Sequence, residues 1–336
     1  MSSPLQPTSG WLLGSRFDAL LVAVPAAIGL LFASVAITAV SRLGVLFALD
    51  LWILSFPHVA ATFTRIAFTR TDARSHAHLL GLVPLIALAA TGSLVGLGGI
   101  VALNSVYFFW QSFHYARQSY GIARTGGSRS WLETGVIYSV PLFGILWRCS
   151  QRPTSFLGMP LETPCVPKTI VLAAGAVAFA TCALWCVRTF RTLATDSDPR
   201  EWPRAMFLLT HIAIFVIGYV LIDDLTRGWL AVNVWHNAQY LLFVWGQNRR
   251  RETLSPSGDR SVLGWISRSP FPWRYTTVCF ALSWVAYFTL FASTGQFTTR
   301  RATVAFLVIM QTINFHHYVV DSIIWRRPKR AASLSL

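Results

Sequence analysis

The feature that most constrains this chain is a succession of apolar runs, each about 20 residues long and separated by short basic loops. A run of that length spans the roughly 30 Å hydrocarbon layer of a bilayer as an α-helix. The chain is therefore read as all-α, a polytopic transmembrane helical bundle of about ten spans, with a range of eight to ten. The spans are 17–40, 44–66, 78–96, 98–120, 131–148, 168–189, 204–222, 227–247, 273–293 and 301–325. The 78–120 stretch also admits a division other than the one at Gly96, Gly98 and Gly99.

Composition agrees. Of 336 residues 54% are hydrophobic and 12% charged, against roughly 25% charged in soluble domains. The longest polar stretches, 149–167, 190–203 and 248–272, hold no soluble module. The expectation is one integral membrane domain over 1–336, with 1–16 and 327–336 as cytoplasmic tails. The first run lacks the short basic-then-apolar layout of a cleaved signal and is read as a retained span.

The net charge of +15 points at first to nucleic acid. The placement of the charge argues otherwise, because nearly every Lys and Arg lies in a loop between apolar runs. With the N-terminus inside, 21 of the 28 fall on the cytoplasmic side. That asymmetry is the positive-inside pattern. It predicts two cytoplasmic termini in a multi-pass protein of the inner (plasma) membrane, with the lipid bilayer and not nucleic acid as partner. The five cysteines form no CxxC pair. Cys182 and Cys186 are read as core residues of one span. Cys149 and Cys165 flank one external loop, either as a disulfide or as two free thiols.

Six of the eight histidines fall inside predicted spans, where an ionisable group is costly and marks a functional site by default. His76 and His78 lie in a basic loop and are read as solvated. His58, His114, His236 and the His316/His317 pair occupy even-numbered spans, which all run in the same direction. Seven residues separate His58 from Arg65, and 10 separate His114 from Arg124. Thirteen separate His236 from Arg249, and 10 separate His316 from Arg326. At about 1.5 Å per residue the spread in depth is only about 9 Å. His211 reaches a comparable depth from the other direction. Neutral imidazole is a common ligand for iron, copper, zinc and nickel, so histidines at one level suggest a metal site. The alternative is that each bonds a neighbouring helix separately.

The residues beside them supply partners. Asn233, Gln239 and Tyr240 lie at i−3, i+3 and i+4 from His236. Gln111, Arg117 and Gln118 stand in the same relation to His114. Asp321 follows His316 by five residues and His317 by four, placed to take the second N–H of a ligating imidazole. Few carboxylates occur at this depth, Asp321 and Asp50 being the candidates. That disfavours a carboxylate-rich di-iron bundle and favours a histidine-dominated centre. Aromatic side chains crowd these histidines, among them Phe109, Trp110, Phe113, Trp235, Phe243, Phe315 and Trp325. They suit an apolar substrate entering from the bilayer. No nucleotide loop, GxSxG elbow or CxxCH haem motif occurs.

Four segments, SFPHVAAT, QSFHYARQS, VWHNAQYLLFVW and FHHYVVDSIIWR, come in the order of similar segments in a known family. It is the Brp/Blh type of membrane β-carotene 15,15′-dioxygenases, which cleave β-carotene to retinal with histidine-bound iron. The resemblance covers about 45 residues and implies metal ligands at His58, His114, His236 and His316. In the last segment a histidine precedes an aspartate by five residues, and that spacing selects His316 over His317. The chain departs from the family pattern at Tyr240, where a second histidine is expected, and at Thr62 and Ser119, where aspartates are.

The expectation is a multi-histidine membrane metalloenzyme, a non-haem iron (Fe2+) oxygenase using O2 on a carotenoid, isoprenoid or acyl-lipid substrate. His58, His114, His236 and His316 would hold the metal. His317, Tyr240 and Asp321 would act in catalysis, with His211 as a reserve ligand. Two alternatives stay open: a transporter or channel passing protons or metal ions along buried histidines, and a non-catalytic assembly subunit.

Overall fold

The computed structural model describes residues 11–127, 130–195, 198–254, 261–293 and 299–325. Residues 1–10 and 326–336 lie outside the described residues, and with them most of the two predicted tails. The described chain is almost wholly helical. Helix α1 (Ser15–Thr38) is followed by α2 (Leu43–Leu49) and α3 (Phe56–Ile66), which run on through a π-helical turn at Asp50–Ser55. Then come α4 (Arg70–Ser75), α5 (Ala77–Thr125), α6 (Trp131–Ser150), α7 (Lys168–Thr195) and α8 (Glu201–Val216). A second π turn, Ile217–Leu221, extends α8. The remainder is α9 (Leu225–Leu254), α10 (Val262–Ser267), α11 (Trp273–Ser293) and α12 (Arg300–Ile324). Strands β1 (Ser155–Phe156) and β2 (Met159–Pro160) form one antiparallel pair, pinned from below by the Asn104 amide, which donates to the carbonyls of Phe156, Met159 and Pro160.

Among the described residues, seven helical stretches are long and apolar enough to cross a membrane. Helices α6 and α9 are not among them, for a physical reason. Every residue of α9 from Gly228 to Gly246 is buried, because α1, α3, α8, α10 and both π turns pack around it. A helix enclosed by protein needs no lipid-compatible face, so it can carry Asn233, His236, Asn237, Gln239 and Tyr240. Helix α6 buries Glu133 and Arg148. Glu133 pairs with Arg204 of α8 at 2.6 Å. The Arg148 guanidinium donates to the carbonyls of Asp223 (2.7 Å), Ile222 and Gly218, and so caps the C-terminal end of α8.

Helix α5 is two limbs that meet at Gly99, whose φ of 69° and ψ of −168° are non-helical. Such a positive φ favours glycine. On the first limb, Leu79 meets His316 and Thr91 meets Thr312. On the second, Tyr107 meets Phe315 and His114 stacks on Tyr318. The limbs follow α12 in opposite senses, so the chain turns back at the glycines, where the sequence reading divided it.

Cys149 is buried at the end of α6 and Cys165 is exposed, and both are free thiols. Cys182 is half-buried and Cys186 exposed. They lie on the peripheral helix α7, in which only Val171, Ala178 and Trp185 are buried; Cys182 packs against the edge of the core, whereas Cys186 faces outward and lies outside it.

Candidate metal centre

Four helices bring imidazoles together: α3 His58, α5 His114, α9 His236 and α12 His317. All four are buried. Ring centroids are 4.8 Å apart for His58–His236, 5.0 Å for His114–His236, 5.0 Å for His114–His317 and 4.5 Å for His58–His317. One nitrogen from each of His58, His114 and His236 falls within 4.8 Å of the others. His114, His317 and Asp321 form a second such group.

His316 is not in this cluster. Its Nε2 bonds the Leu79 carbonyl at 2.7 Å, and its ring lies against Phe63. Consecutive helical residues point about 100° apart, so only one of the pair can face the bundle axis. His316 ties α12 to the first limb of α5, and His317 faces the cluster. The expectation of His316 among the clustered imidazoles is corrected on this ground. His211 also lies apart: Nδ1 bonds Ser119 Oγ at 3.1 Å and Nε2 the Ile137 carbonyl at 3.2 Å, leaving no free lone pair. His76 is half-buried on its own helix end, bonding the Asp72 carbonyl, and His78 is exposed.

The tautomer of His317 follows from its neighbours. Tyr240 donates its hydroxyl to Asp321 Oδ1 in a short bond, and Thr62 donates to the same oxygen at 3.2 Å. Thr62 has one proton, so it must accept from His317 Nδ1–H at 2.7 Å. That leaves His317 Nε2 with a bare lone pair. His58 Nε2, 2.7 Å away, then carries the proton between them. His58 Nδ1 is left as a buried lone pair with no partner, as are His114 Nε2 and His236 Nδ1 in the sense that nothing bonds them. Buried polar atoms are normally satisfied, and three orphans on converging imidazoles are what a missing cation would explain. A transition metal holds imidazole nitrogen at about 2.0–2.1 Å, so ligands on one ion lie at most about 4.2 Å apart. Shifts of a few tenths of an ångström would close one nitrogen each of His58, His114 and His236 onto one ion. The donor set therefore fits a histidine-bound metal, with Asp321 acting on His317 through Thr62.

The π turn at Asp50–Ser55 builds a second polar layer. In an α-helix residues five apart diverge by about 140°; here Ser55 Oγ reaches Asp50 Oδ2 at 3.2 Å. Both face α9, where Asn233 Nδ2 donates to Asp50 at 2.6 Å and Asn237 Nδ2 to Ser55 at 2.7 Å. Tyr115 donates to Asn233 Oδ1 at 2.6 Å, and its ring lies 4.3 Å from His236. Such π turns often mark functional sites. Sequence reasoning missed Thr62, Ser55, Asn237 and Tyr115 as site residues. Thr62 alone had a usable signal, lying four residues after His58 on the same helix face.

Two cavities flank the imidazoles. One, of about 350 Å³, is lined by His58, His236 and His317 with Asp50, Asn233 and Asn237. The other, of about 1050 Å³, is lined by His114, Tyr240 and Asp321 and by Phe109, Trp110, Phe113, Phe243 and Trp325. Trp110 and Phe113 are 42% and 56% exposed, so this larger cavity opens sideways on the outer face of the bundle.

No family model, no curated protein and no solved structure matches the chain.

Proposed function

We propose that this chain is an integral membrane metalloenzyme, a non-haem iron oxygenase that acts on a hydrophobic substrate taken from the bilayer. The observation that carries the reading is the set of orphaned nitrogens on His58, His114 and His236 beside His317, whose Nε2 lies 2.7 Å from His58 Nε2. Iron bound by these imidazoles would supply the coordination and activation of dioxygen. The chain's own residues do the rest. Thr62 and Asp321 fix the His317 ring and tautomer. Tyr240, held by Asp321 and beside Thr62, presents its hydroxyl at the edge of the larger cavity. The aromatic walls exclude water and hold an apolar chain against His114. Both termini are assigned to the cytoplasm and the chain to the inner membrane by the distribution of Lys and Arg. Ten crossings are supported by the seven apolar stretches, with α5 counted as two limbs, together with α6 and α9.

Mössbauer and EPR spectroscopy of protein purified without oxygen tests this reading. Close to one high-spin ferrous ion per chain, oxidised on exposure to air, is the expected result. Protein free of transition metal after growth in iron-replete medium would favour passage of ions or protons along the histidines.

A further inference from the structure

The larger cavity is not uniformly apolar. His114, Tyr240 and Asp321 line its middle, with Trp110 and Phe113 on one side of His114 along α5 and two cations, Arg117 and Arg124, on the other. Their guanidinium carbons stand 5.1 and 5.9 Å from the Tyr120 ring centroid, so both cations gather on one aromatic side chain. Arg124 belongs to the basic boundary of its span, where the positive-inside pattern accounts for it. Arg117 is different. It lies seven residues, about 10 Å, deeper along the helix than Arg124, and it is half-buried. Its hydrogen-bond partner is the neutral Tyr138 hydroxyl at 3.2 Å. Among the described residues no carboxylate pairs with it, although the bundle pairs Arg204 with Glu133 and Arg251 with Asp72. A cation at that depth without a counter-charge, lining a cavity, marks a ligand's charge.

We infer that the cavity binds a single-chain anionic amphiphile, its carboxylate or phosphate headgroup on Arg117 and Arg124 and its apolar chain laid along Trp110 and Phe113 past His114. The inference rests on the proposed function for its chemistry but on the cavity alone for its binding. The volume of about 1050 Å³ is at the upper end of small-molecule sites, which run to roughly 1,000 Å³. The two arginines set the orientation, since both lie on the same side of His114 along α5. Helical rise puts Arg117 about 5 Å and Arg124 about 15 Å from the level of His114. The point of the chain beside His114 then lies between about 5 and 15 Å from the headgroup, so it is a carbon within the chain and not the headgroup itself.

Equilibrium binding of radiolabelled oleate to the full chain in nanodiscs of neutral lipid tests this. Saturable binding near one per chain is expected, displaced by unlabelled oleate. Methyl oleate, which has the same chain without the charge, should compete at least about tenfold more weakly. Lysophosphatidic acid reports whether phosphate serves as well as carboxylate. Arg117→Gln should weaken oleate at least about tenfold and erase its advantage over the ester, whereas Arg117→Lys keeps most of it. Arg188→Gln, an exposed cation on α7, should change nothing. Equal competition by oleate and methyl oleate, or equal losses in Arg117→Gln and Arg188→Gln, would overturn the inference. His236→Ala, whose side chain does not line this cavity, should bind oleate like the parent. A metal-free parent that binds oleate as described would therefore refute the iron centre and leave the amphiphile site standing.

Discussion

Replacing His236 by alanine should abolish any metal binding by the histidine cluster while leaving a protein that still folds. His236 is enclosed on α9, its Nδ1 has no partner, and its ring packs between His58, His114 and Tyr115. Losing an orienting partner of a metal ligand costs about 10–100-fold in affinity, so losing a ligand should cost more than about 100-fold. The fold should tolerate the change. No hydrogen bond to the His236 ring is lost, while its backbone carbonyl keeps the Gln118 amide at 3.1 Å. Metal content per chain, read beside helicity and elution volume, checks this. A variant with undiminished metal would remove His236 from the centre, and a collapsed variant would make the ring a packing element.

Substituting Gly228 by valine has the largest expected effect on the fold. α9 crosses the second π turn at Gly228 and Gly218, where a side-chain carbon on either residue would overlap the other's backbone carbonyl. Small residues at such crossings let helices in a bilayer approach closely. A neighbouring side chain could rotate aside, but a backbone cannot. Overpacking a tight core costs about 1–3 kcal/mol and occasionally more, and here the loss should be at least about 3 kcal/mol. The same crossing holds Tyr219 against Ser112 and the Ile222 carbonyl against Arg148. Thermal unfolding in detergent should fall by many degrees, or the protein should fail to accumulate. Gly44→Val, at a position with open space around it, should leave the midpoint nearly unchanged. A Gly228→Val protein as stable as its parent would mean the helices are not in contact there.

The helices were legible because apolar runs of fixed length leave few alternatives, and the turn within α5 was legible because Gly96, Gly98 and Gly99 interrupt one. The central position of α9 was less so, since enclosure by neighbours is a tertiary fact. The convergence of histidines was legible from depth alone: counting to basic boundaries needs only the helical rise. Choosing between His316 and His317 was not. They differ by one residue, a shift that depth cannot resolve. The five-residue spacing to Asp321 selected His316, whereas Asp321 acts on His317 through Thr62. The π turn at Asp50–Ser55 has no periodic signature, so the facing of Asp50 and Ser55 toward Asn233 and Asn237 had no basis in pattern.

The central claim is that His317, and not His316, completes a buried histidine metal centre. Metal stoichiometry of His316→Ala and His317→Ala, purified side by side with the parent, tests it most directly. The two residues are adjacent, both buried and on one helix, so general damage to α12 affects both alike. The account predicts a His317→Ala protein stripped of metal and a His316→Ala protein that retains it, somewhat less stable for the lost bond to Leu79. Retention of metal by His317→Ala together with its loss from His316→Ala would contradict the account.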